Sequence, residues 1–271
     1  MDLITLPSYT LAPGCLKDQI IMITGASQGI GRALAIQAAS YGATVIILGK
    51  SVKKCEAVYD EIVAQGYPEP AIHPINLLHL DPKGASELAE HVHNMFGRLD
   101  AIVHNASSVG QITPLSLLPP EKWQEAIHLN LNIPYLLTYS LLPLLQQRAH
   151  TSILFTCANE AFQAKAYWSA YSASKFGVLG LAQALHEELE QNTTIRVNCI
   201  NPGIARTAMR VNAYPGIDPL TFPGPEQIVP DYLYLLGPSA QPIRGKCIQV
   251  GENQVNETQK EERVALGESM S

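Results

Sequence analysis

The sequence predicts an α/β fold in which a doubly wound parallel sheet is covered by helices on both faces. Short apolar runs alternate with helical patterns along the chain, which is typical of parallel strands buried on both sides. The first unit shows this most clearly, because the Ile-rich run from Gln19 to Thr24 leads through a glycine turn to an Ala-rich helical pattern from Arg32 to Ala39. We therefore expect a seven-stranded parallel sheet.

The other elements follow from the same alternation. Strands are predicted near residues 19 to 24, 43 to 48, 71 to 75, 99 to 104, 151 to 157, 194 to 200 and 246 to 250. Helical patterns lie near residues 29 to 41, 51 to 65, 82 to 96, 121 to 147 and 170 to 190, with a shorter one near 226 to 236. The expected strand order is 3-2-1-4-5-6-7, and in such a sheet ligands bind at the carboxyl ends of the strands, near the switch between strands 1 and 4.

Length and composition indicate one domain. The 271 residues contain no linker rich in Pro, Gly or Ser, and 46% of them are hydrophobic, which is ample for a core. We assign residues 17–251 to this domain, residues 1–16 to an N-terminal extension and residues 252–271 to a polar C-terminal tail. The formal net charge of −6 argues against nucleic acid as a partner.

Neither a metal site nor a membrane segment is expected. The five Cys show no spacing typical of metal ligands or of a disulfide framework, which fits a reducing cytoplasm. The N-terminus lacks the basic region and apolar core of a signal peptide. The most apolar helical segment, Ile133 to Leu145, is too short for a bilayer and is interrupted by two prolines. We therefore expect a cytoplasmic protein.

A glycine-rich turn after the first strand predicts a dinucleotide site. From Thr24 to Gly31 the sequence is T-G-A-S-Q-G-I-G, with the spacing G-x-x-x-G-x-G. Glycines let the backbone approach a pyrophosphate, whose negative charge the free N–H groups at the helix start attract. The alternative is a turn that serves only to pack the helix against the strand. The candidate cofactor contacts are Gly25, Ser27, Gln28, Gly29, Ile30 and Gly31.

Tyr171 and Lys175 are a candidate proton-transfer pair. Residues four apart share one face of a helix, so the Lys175 ammonium is expected to favour the Tyr171 phenolate and lower its pKa from about 10. A Tyr tuned in this way can give a proton to a carbonyl oxygen or take one from an alcohol. A single Tyr-x-x-x-Lys match also arises by chance, so the glycine turn upstream is what makes this interpretation preferable.

With both motifs in place, the chain resembles the short-chain dehydrogenase/reductase superfamily over roughly residues 17 to 251. Further landmarks are His104-Asn105-Ala106-Ser107 in place of the usual Asn-Asn-Ala-Gly, Asn130 within His128 to Asn132, and the segment from Asn201 to Thr207. The segments Ser174 to Phe176, Arg196 to Gly203 and Arg206 to Arg210 are most similar to an enterobacterial subgroup of oxidoreductases. The resemblance implies a Rossmann-like fold and a homodimer or homotetramer.

The resemblance also implies roles for several residues. Tyr171 is the expected acid/base, Lys175 also binds the nicotinamide ribose hydroxyls, and Asn130 organises water in a proton relay to Lys175. Thr207 is expected to contact the carboxamide or phosphate side of the cofactor. Asn130 also has a structural interpretation, as a buried polar residue that locks its helix, and Thr207 has one as a helix cap. Further cofactor contacts are expected at Asn105, Ala106, Pro202 and Gly203.

The end of the second strand indicates the cofactor type. No carboxylate is present in Leu48-Gly49-Lys50-Ser51, where an acidic residue would bind a ribose 2′-hydroxyl. Lys50 offers a positive charge to a 2′-phosphate, so NADP(H) is preferred, with NAD(H) still possible. The alternative is that Lys50 is an ordinary exposed lysine. Asn76, with Leu77 beside it, follows the third strand and is placed to contact adenine.

Two positions depart from the family pattern. Ala158 lies thirteen residues before Tyr171, where the family has a Ser that hydrogen-bonds the substrate oxygen. Loss of one such donor costs about 10² to 10³ in rate. Asn159, Thr156 or Cys157 can be considered as replacements, with Asn159 the best donor. Ser107 replaces the family Gly beside the nicotinamide and either crowds the pocket or offers a hydroxyl.

Two functions are therefore compatible with the sequence. The first is an NADP(H)-dependent oxidoreductase that transfers hydride between the nicotinamide and a small-molecule carbonyl or alcohol, weakened by Ala158. The alternative is a catalytically impaired dinucleotide-binding protein that acts as a sensor or interaction module. Retention of Tyr171, Lys175 and Asn130 favours the enzyme.

Overall fold

The computed structural model describes residues 1–251, so the predicted tail of residues 252–271 lies outside the described part of the chain. The strands are β1 (Asp2–Ile4), β2 (Ile20–Thr24), β3 (Thr44–Gly49), β4 (Ala71–Pro74), β5 (Ala101–His104), β6 (Ser152–Thr156), β7 (Arg196–Asn201) and β8 (Lys246–Gln249). The α-helices are α1 (Gly29–Ser40), α2 (Val52–Ala64), α3 (Pro82–Phe96), α4 (Pro120–Ile127), α5 (Ile133–Gln146), α6 (Ser169–Glu190), α7 (Ala208–Ala213) and α8 (Pro225–Leu236).

The strands form one parallel sheet in the order β1-β8-β7-β6-β5-β2-β3-β4. From β4 to β8 this is the predicted order 3-2-1-4-5-6-7, so the fold class is confirmed. The predicted count of seven strands is wrong by one, because residues 2–4 pair with β8 at the edge of the sheet. Three residues are too few to show a strand pattern in the sequence, and β1 becomes a strand only through its pairing with the β8 edge.

Helices cover both faces of the sheet and build two apolar layers. Helices α1, α2 and α8 pack on one face, and α3, α5 and α6 pack on the other. Within β2 the side chains alternate between the layers, with Ile21 and Ile23 in the first and Met22 in the second. This burial on both faces explains why the strands are continuous apolar runs in the sequence.

Two helical features differ from the prediction. The segment predicted as one helix near 121 to 147 is divided by a wide π-type turn at residues 128–132, between α4 and α5. A short helix that the sequence pattern did not show, α7, lies after β7. Within residues 1–251, no helix combines the length and apolar character needed to cross a membrane.

Candidate active site

A cleft of about 650 Å³ opens at the carboxyl ends of the central strands. Its position is the one expected where the strand order reverses between β2 and β5. Most of the candidate residues from the sequence line it. They are Gly25, Ser27, Gln28, Gly29, Ile30, Lys50, Asn76, Leu77, Asn105, Ala106, Tyr171, Lys175, Pro202, Gly203 and Thr207.

The glycine turn has the geometry of a phosphate cradle. Gly25 and Gly29 have φ values of +67° and +56°, which favour glycine because it has no Cβ. Gly31 lies behind the cleft, where a Cβ would meet the Gly25 carbonyl oxygen at 2.3 Å, so its lack of a side chain serves helix packing. Gln28 makes no side-chain cap at the start of α1, and the first turn of that helix carries no acidic residue. The start of α1 therefore fits a pyrophosphate.

Two lysines lie at the end of the cleft next to β3. Lys50 follows β3 and lines the cleft, as expected, and Lys54 on α2 lines it as well. The Lys54 ammonium donates a hydrogen bond to Gln28 Oε1 at 2.9 Å, which links α2 to the glycine turn. Sequence reasoning missed Lys54. Ser51 could have indicated that Lys54 lies in the first turn of α2. Its side chain caps that helix by accepting from the Lys54 N–H.

The loops after β4 and β5 form one wall of the cleft. Asn76 lines the cleft, and its Oδ1 accepts from the Leu78 N–H at 3.3 Å. Asn105 donates through Nδ2 to the Thr24 carbonyl oxygen at 3.0 Å. The Thr24 hydroxyl in turn accepts from the N–H groups of Asn105 and Ala106, both at 2.9 Å. These bonds fix the end of β5 against the glycine turn.

Tyr171 and Lys175 lie on α6 at the base of the cleft. Both side chains are buried, and the Lys175 Nζ lies 5.5 Å from the centroid of the Tyr171 ring. The ammonium donates to the Thr156 carbonyl oxygen at 2.9 Å. The structure therefore brings the pair together, as the i, i+4 spacing predicts.

The expected lowering of the Tyr171 pKa is wrong. Burial is the largest influence and raises the pKa of Tyr171 well above its usual value, since it disfavours the phenolate. The negative charge of Glu160 raises the pKa further, whereas a side-chain hydrogen bond from Ser107 lowers it. Burial also lowers the pKa of Lys175. Sequence reasoning missed Glu160, which has no distinguishing pattern and approaches Tyr171 only through the turn after β6.

Asn130 lies in the π-type turn and is buried behind the cleft wall. Its Oδ1 accepts from the Ser108 N–H at 2.9 Å and from the Ser107 hydroxyl at 3.2 Å. Its Nδ2 donates to the Ser108 carbonyl oxygen at 2.8 Å and to Ser174 Oγ at 3.0 Å. These contacts join α6 to the loop after β5, so the structural role that the sequence left open for Asn130 is present.

The Ala158 methyl group packs against Tyr171 and Trp168 at the base of the cleft. Of the candidate replacement donors, the Thr156 hydroxyl pairs with the Tyr232 hydroxyl at 3.2 Å. The Cys157 thiol is buried, and Asn159 accepts through Oδ1 from Asn201 Nδ2 at 2.7 Å. Neither Thr156 nor Cys157 is therefore free to take the place of the missing serine.

The cleft is bordered by an aromatic lid around α7. Thr207 caps α7 by accepting from the Arg210 N–H at 3.3 Å, which is the structural role the sequence left open. Tyr214 stacks on Trp168 with ring centroids 5.6 Å apart, and the Arg210 guanidinium lies 3.8 Å from the Tyr214 ring centroid. Lys165 Nζ also lies 4.7 Å from the Tyr214 ring centroid. This end of the cleft therefore offers an apolar surface with the cations of Arg210 and Lys165, next to Tyr171.

The comparisons with known proteins agree with this geometry. The short chain dehydrogenase family model matches residues 19–217. The uncharacterized oxidoreductase YciK of Escherichia coli K12 is 41% identical over 222 residues, which cover 82% of this chain and 87% of that protein. A short chain dehydrogenase structure from Pseudomonas syringae is 43% identical with a TM-score of 0.88, covering 91% of this chain and 100% of that one.

A second similar structure is a short chain dehydrogenase from Escherichia coli CFT073 complexed with NADPH. It is 39% identical with a TM-score of 0.85, and the match covers 89% of this chain and 99% of that one. The similarity in sequence and the similarity in fold both extend over most of the described residues. The cleft lies where this fold binds its ligands. The chain therefore belongs to the short chain dehydrogenase family of oxidoreductases.

Proposed function

We propose that the protein is an NADP(H)-dependent oxidoreductase that interconverts a small-molecule carbonyl and the corresponding alcohol, with Tyr171 as the acid/base. The observation that carries this proposal is the buried Tyr171 and Lys175 pair at the base of the same cleft that the glycine turn borders. The related structure complexed with NADPH supports the choice of cofactor.

Residues at different positions along the cleft have different roles. The glycine turn and the start of α1 bind the pyrophosphate, while Lys50 and Lys54 bind the 2′-phosphate. When bound, NADPH supplies the hydride that reduces the carbonyl carbon. Tyr171 donates its phenolic proton to the substrate oxygen, and its raised pKa keeps that proton in place at neutral pH. Lys175 holds a positive charge near the phenolate that remains.

Cofactor choice is tested by calorimetric titration of the purified protein with NADPH, NADP⁺, NADH and NAD⁺. We expect the two 2′-phosphorylated forms to bind more tightly. Replacing both lysines (K50A/K54A) is expected to weaken NADPH binding by about 10² or more and to leave NADH binding unchanged, since each charge-assisted contact contributes about 1.5 to 3 kcal/mol.

The matched control for this titration is Lys53→Ala, an exposed neighbour on α2 outside the cleft lining. It removes one positive charge from α2, as the Lys54→Ala change does, without touching the site. A wild-type preference for NADH, or an equal loss in Lys53→Ala, would contradict the assignment of the 2′-phosphate site.

A dinucleotide-binding protein with impaired catalysis is a second candidate, favoured by the methyl group of Ala158 beside Tyr171. Screening a panel of aldehydes and ketones with NADPH, using wild type and Ala158→Ser, separates the two. Tyr171-dependent turnover by wild type supports the enzyme. Turnover only in Ala158→Ser supports the impaired protein, because the variant then restores a missing donor.

A further inference from the structure

Ser107 occupies the point at which the cleft, Tyr171 and Asn130 meet. The residue is half-buried and lines the cleft together with Tyr171 and Ala158. Its hydroxyl donates to Asn130 Oδ1, and its side chain lies close enough to the Tyr171 phenol to lower the pKa of that group. A hydroxyl in contact with the acid/base is therefore present in the site, although the residue at position 158 has none.

The Ser107 hydroxyl can leave Asn130 at little cost. Its bond to Oδ1 is 3.2 Å long, which is beyond the usual range for an O–H···O hydrogen bond. Oδ1 also accepts from the Ser108 N–H at 2.9 Å, so it keeps a donor when Ser107 turns away. The single hydroxyl proton is thus held weakly by Asn130, and a more negative oxygen attracts it more strongly.

The side chains of Thr156, Cys157 and Asn159 are less suited than Ser107 to donate a hydrogen bond to an oxygen beside Tyr171. Thr156 is paired with Tyr232, and the Cys157 thiol is buried and is a weak donor. Asn159 is exposed at the rim of the cleft, with its amide oxygen held by Asn201. Of these three residues, Asn159 alone retains a strong donor, its Nδ2, as a rival to Ser107.

We propose that Ser107 supplies the hydrogen bond to the substrate oxygen that Ala158 cannot, an inference that rests on the proposed function. During reduction the hydride from the cofactor bonds to the carbonyl carbon, and the C=O π pair moves to the oxygen. Tyr171 transfers its phenolic proton to that oxygen. Ser107 turns its O–H from Asn130 to the same oxygen and keeps its proton. The donor role has moved from the end of β6 to the loop after β5.

The first test measures NADPH oxidation with 4-nitrobenzaldehyde in four proteins: wild type, Ser107→Ala, Ala158→Ser and the double variant. We expect Ser107→Ala to lower kcat by about 10² in the wild-type background, the effect of one lost oxyanion donor. In the Ala158→Ser background the same change is expected to cost less than about tenfold, because the two hydroxyls serve one oxygen. Ser116→Ala, an exposed site outside the cleft, is the control.

A second test does not depend on turnover. Binding of 2,2,2-trifluoroethanol to the NADP⁺ complex is followed by ¹⁹F NMR, since its hydroxyl oxygen represents the product alcohol. Ser107→Ala is expected to weaken this binding by about fivefold or more, the value of one neutral hydrogen bond. Ser116→Ala is expected to leave it unchanged.

The outcomes separate this inference from the proposed function. Equal losses from Ser107→Ala in both backgrounds overturn the inference, because Ser107 would then act only through the position of Asn130. Trifluoroethanol binding that is the same in Ser107→Ala and wild type overturns it as well, while Tyr171-dependent turnover leaves the proposed function intact. If no protein of the set reduces the aldehyde, the trifluoroethanol titration still decides the role of Ser107.

Discussion

At the scale of single residues, burial and the charge of Glu160 both raise the proton affinity of Tyr171. The effect of burial on the pKa of Tyr171 is the larger of the two. Glu160→Gln removes that charge and is expected to lower the pKa of Tyr171. Alcohol oxidation requires the phenolate, so its pH profile should shift to lower pH and its rate at a fixed pH should rise several-fold.

The control for Glu160→Gln is Glu188→Gln, an exposed carboxylate on α6 that the cleft does not include. The measurement is the initial rate of NADP⁺ reduction by an alcohol between about pH 6 and about pH 10. Identical profiles for wild type and Glu160→Gln would contradict the electrostatic coupling.

The sequence was sufficient for residues whose function depends on their neighbours in the chain. Tyr171 and Lys175 are one helical turn apart, and the residues of the glycine turn are consecutive, so spacing alone predicted each group. The resemblance to a known family then placed both groups in one site. Lys54, Glu160 and the Ser107 contact depend on how separate loops approach one another. No local pattern encodes those distances, and the sign of the Tyr171 pKa shift could not be predicted without knowing its burial.

At the scale of elements, the π-type turn at residues 128–132 places Asn130. In a regular α-helix the Asn130 carbonyl would accept from the N–H of residue 134, which is a proline and has none. The helix widens instead, and the Ile133 N–H bonds to the His128 carbonyl oxygen, five residues back. Pro134 therefore explains why Asn130 faces Ser107 and Ser174.

Pro134→Ala is expected to restore a regular helix and to move Asn130 out of its contacts. Misplacement on this scale lowers kcat by up to about 10², whereas stability changes little, because the better helix propensity of alanine offsets the loss of the buried Pro134 ring. Pro143→Ala, at an exposed proline within α5, is the control for helix propensity. Steady-state kinetics measure kcat, and thermal melts measure stability. Equal kcat values for Pro134→Ala and Pro143→Ala would contradict a specific role of Pro134.

The element boundaries show what periodicity can predict. Most strands and helices lie within about two residues of the prediction, because burial on both faces of the sheet leaves clear apolar runs. The break at residues 128–132 was missed although Pro134 was visible, since a proline can also kink a helix or stand in its first turn. Helix α7 was missed because it is short and exposed.

At the scale of the whole molecule, a buried histidine couples stability to pH. His104 stacks on Phe155 at 4.8 Å, and its Nε2 lies 2.9 Å from Thr138 Oγ1. Burial lowers its pKa to about 3. The unfolded chain, with a pKa of about 6.5 at this group, binds the proton first, so acidification favours unfolding in the window between these values.

We therefore expect the free energy of unfolding to fall as the pH drops below about 6.5, with a contribution from His104 approaching 1.4 kcal/mol per pH unit and ending near its folded pKa of about 3. His104→Asn should remove that contribution, whereas the exposed His79→Asn should not. Urea denaturation between about pH 4 and about pH 7 measures it. Parallel curves for wild type and His104→Asn would contradict this account.

The overall fold was predictable because each strand–helix unit repeats the same pattern and the glycine turn marks the first unit. The edge strand β1 was not, since its pairing joins the two ends of the described chain. Assembly as a homodimer or homotetramer remains an expectation. The surface at which to test this assembly is formed by three exposed side chains, Tyr135 and Tyr139 of α5 and Phe176 of α6.

The central claim is that Tyr171 carries proton transfer in an NADP(H)-dependent reaction. The most direct measurement is the rate of NADPH oxidation with a reducible aldehyde in wild type, Tyr171→Phe and Tyr167→Phe, the last at an exposed tyrosine outside this cleft. We predict that Tyr171→Phe loses about 10² or more in kcat while its NADPH affinity is unchanged, and that Tyr167→Phe behaves as wild type. Equal rates in wild type and Tyr171→Phe would contradict the account.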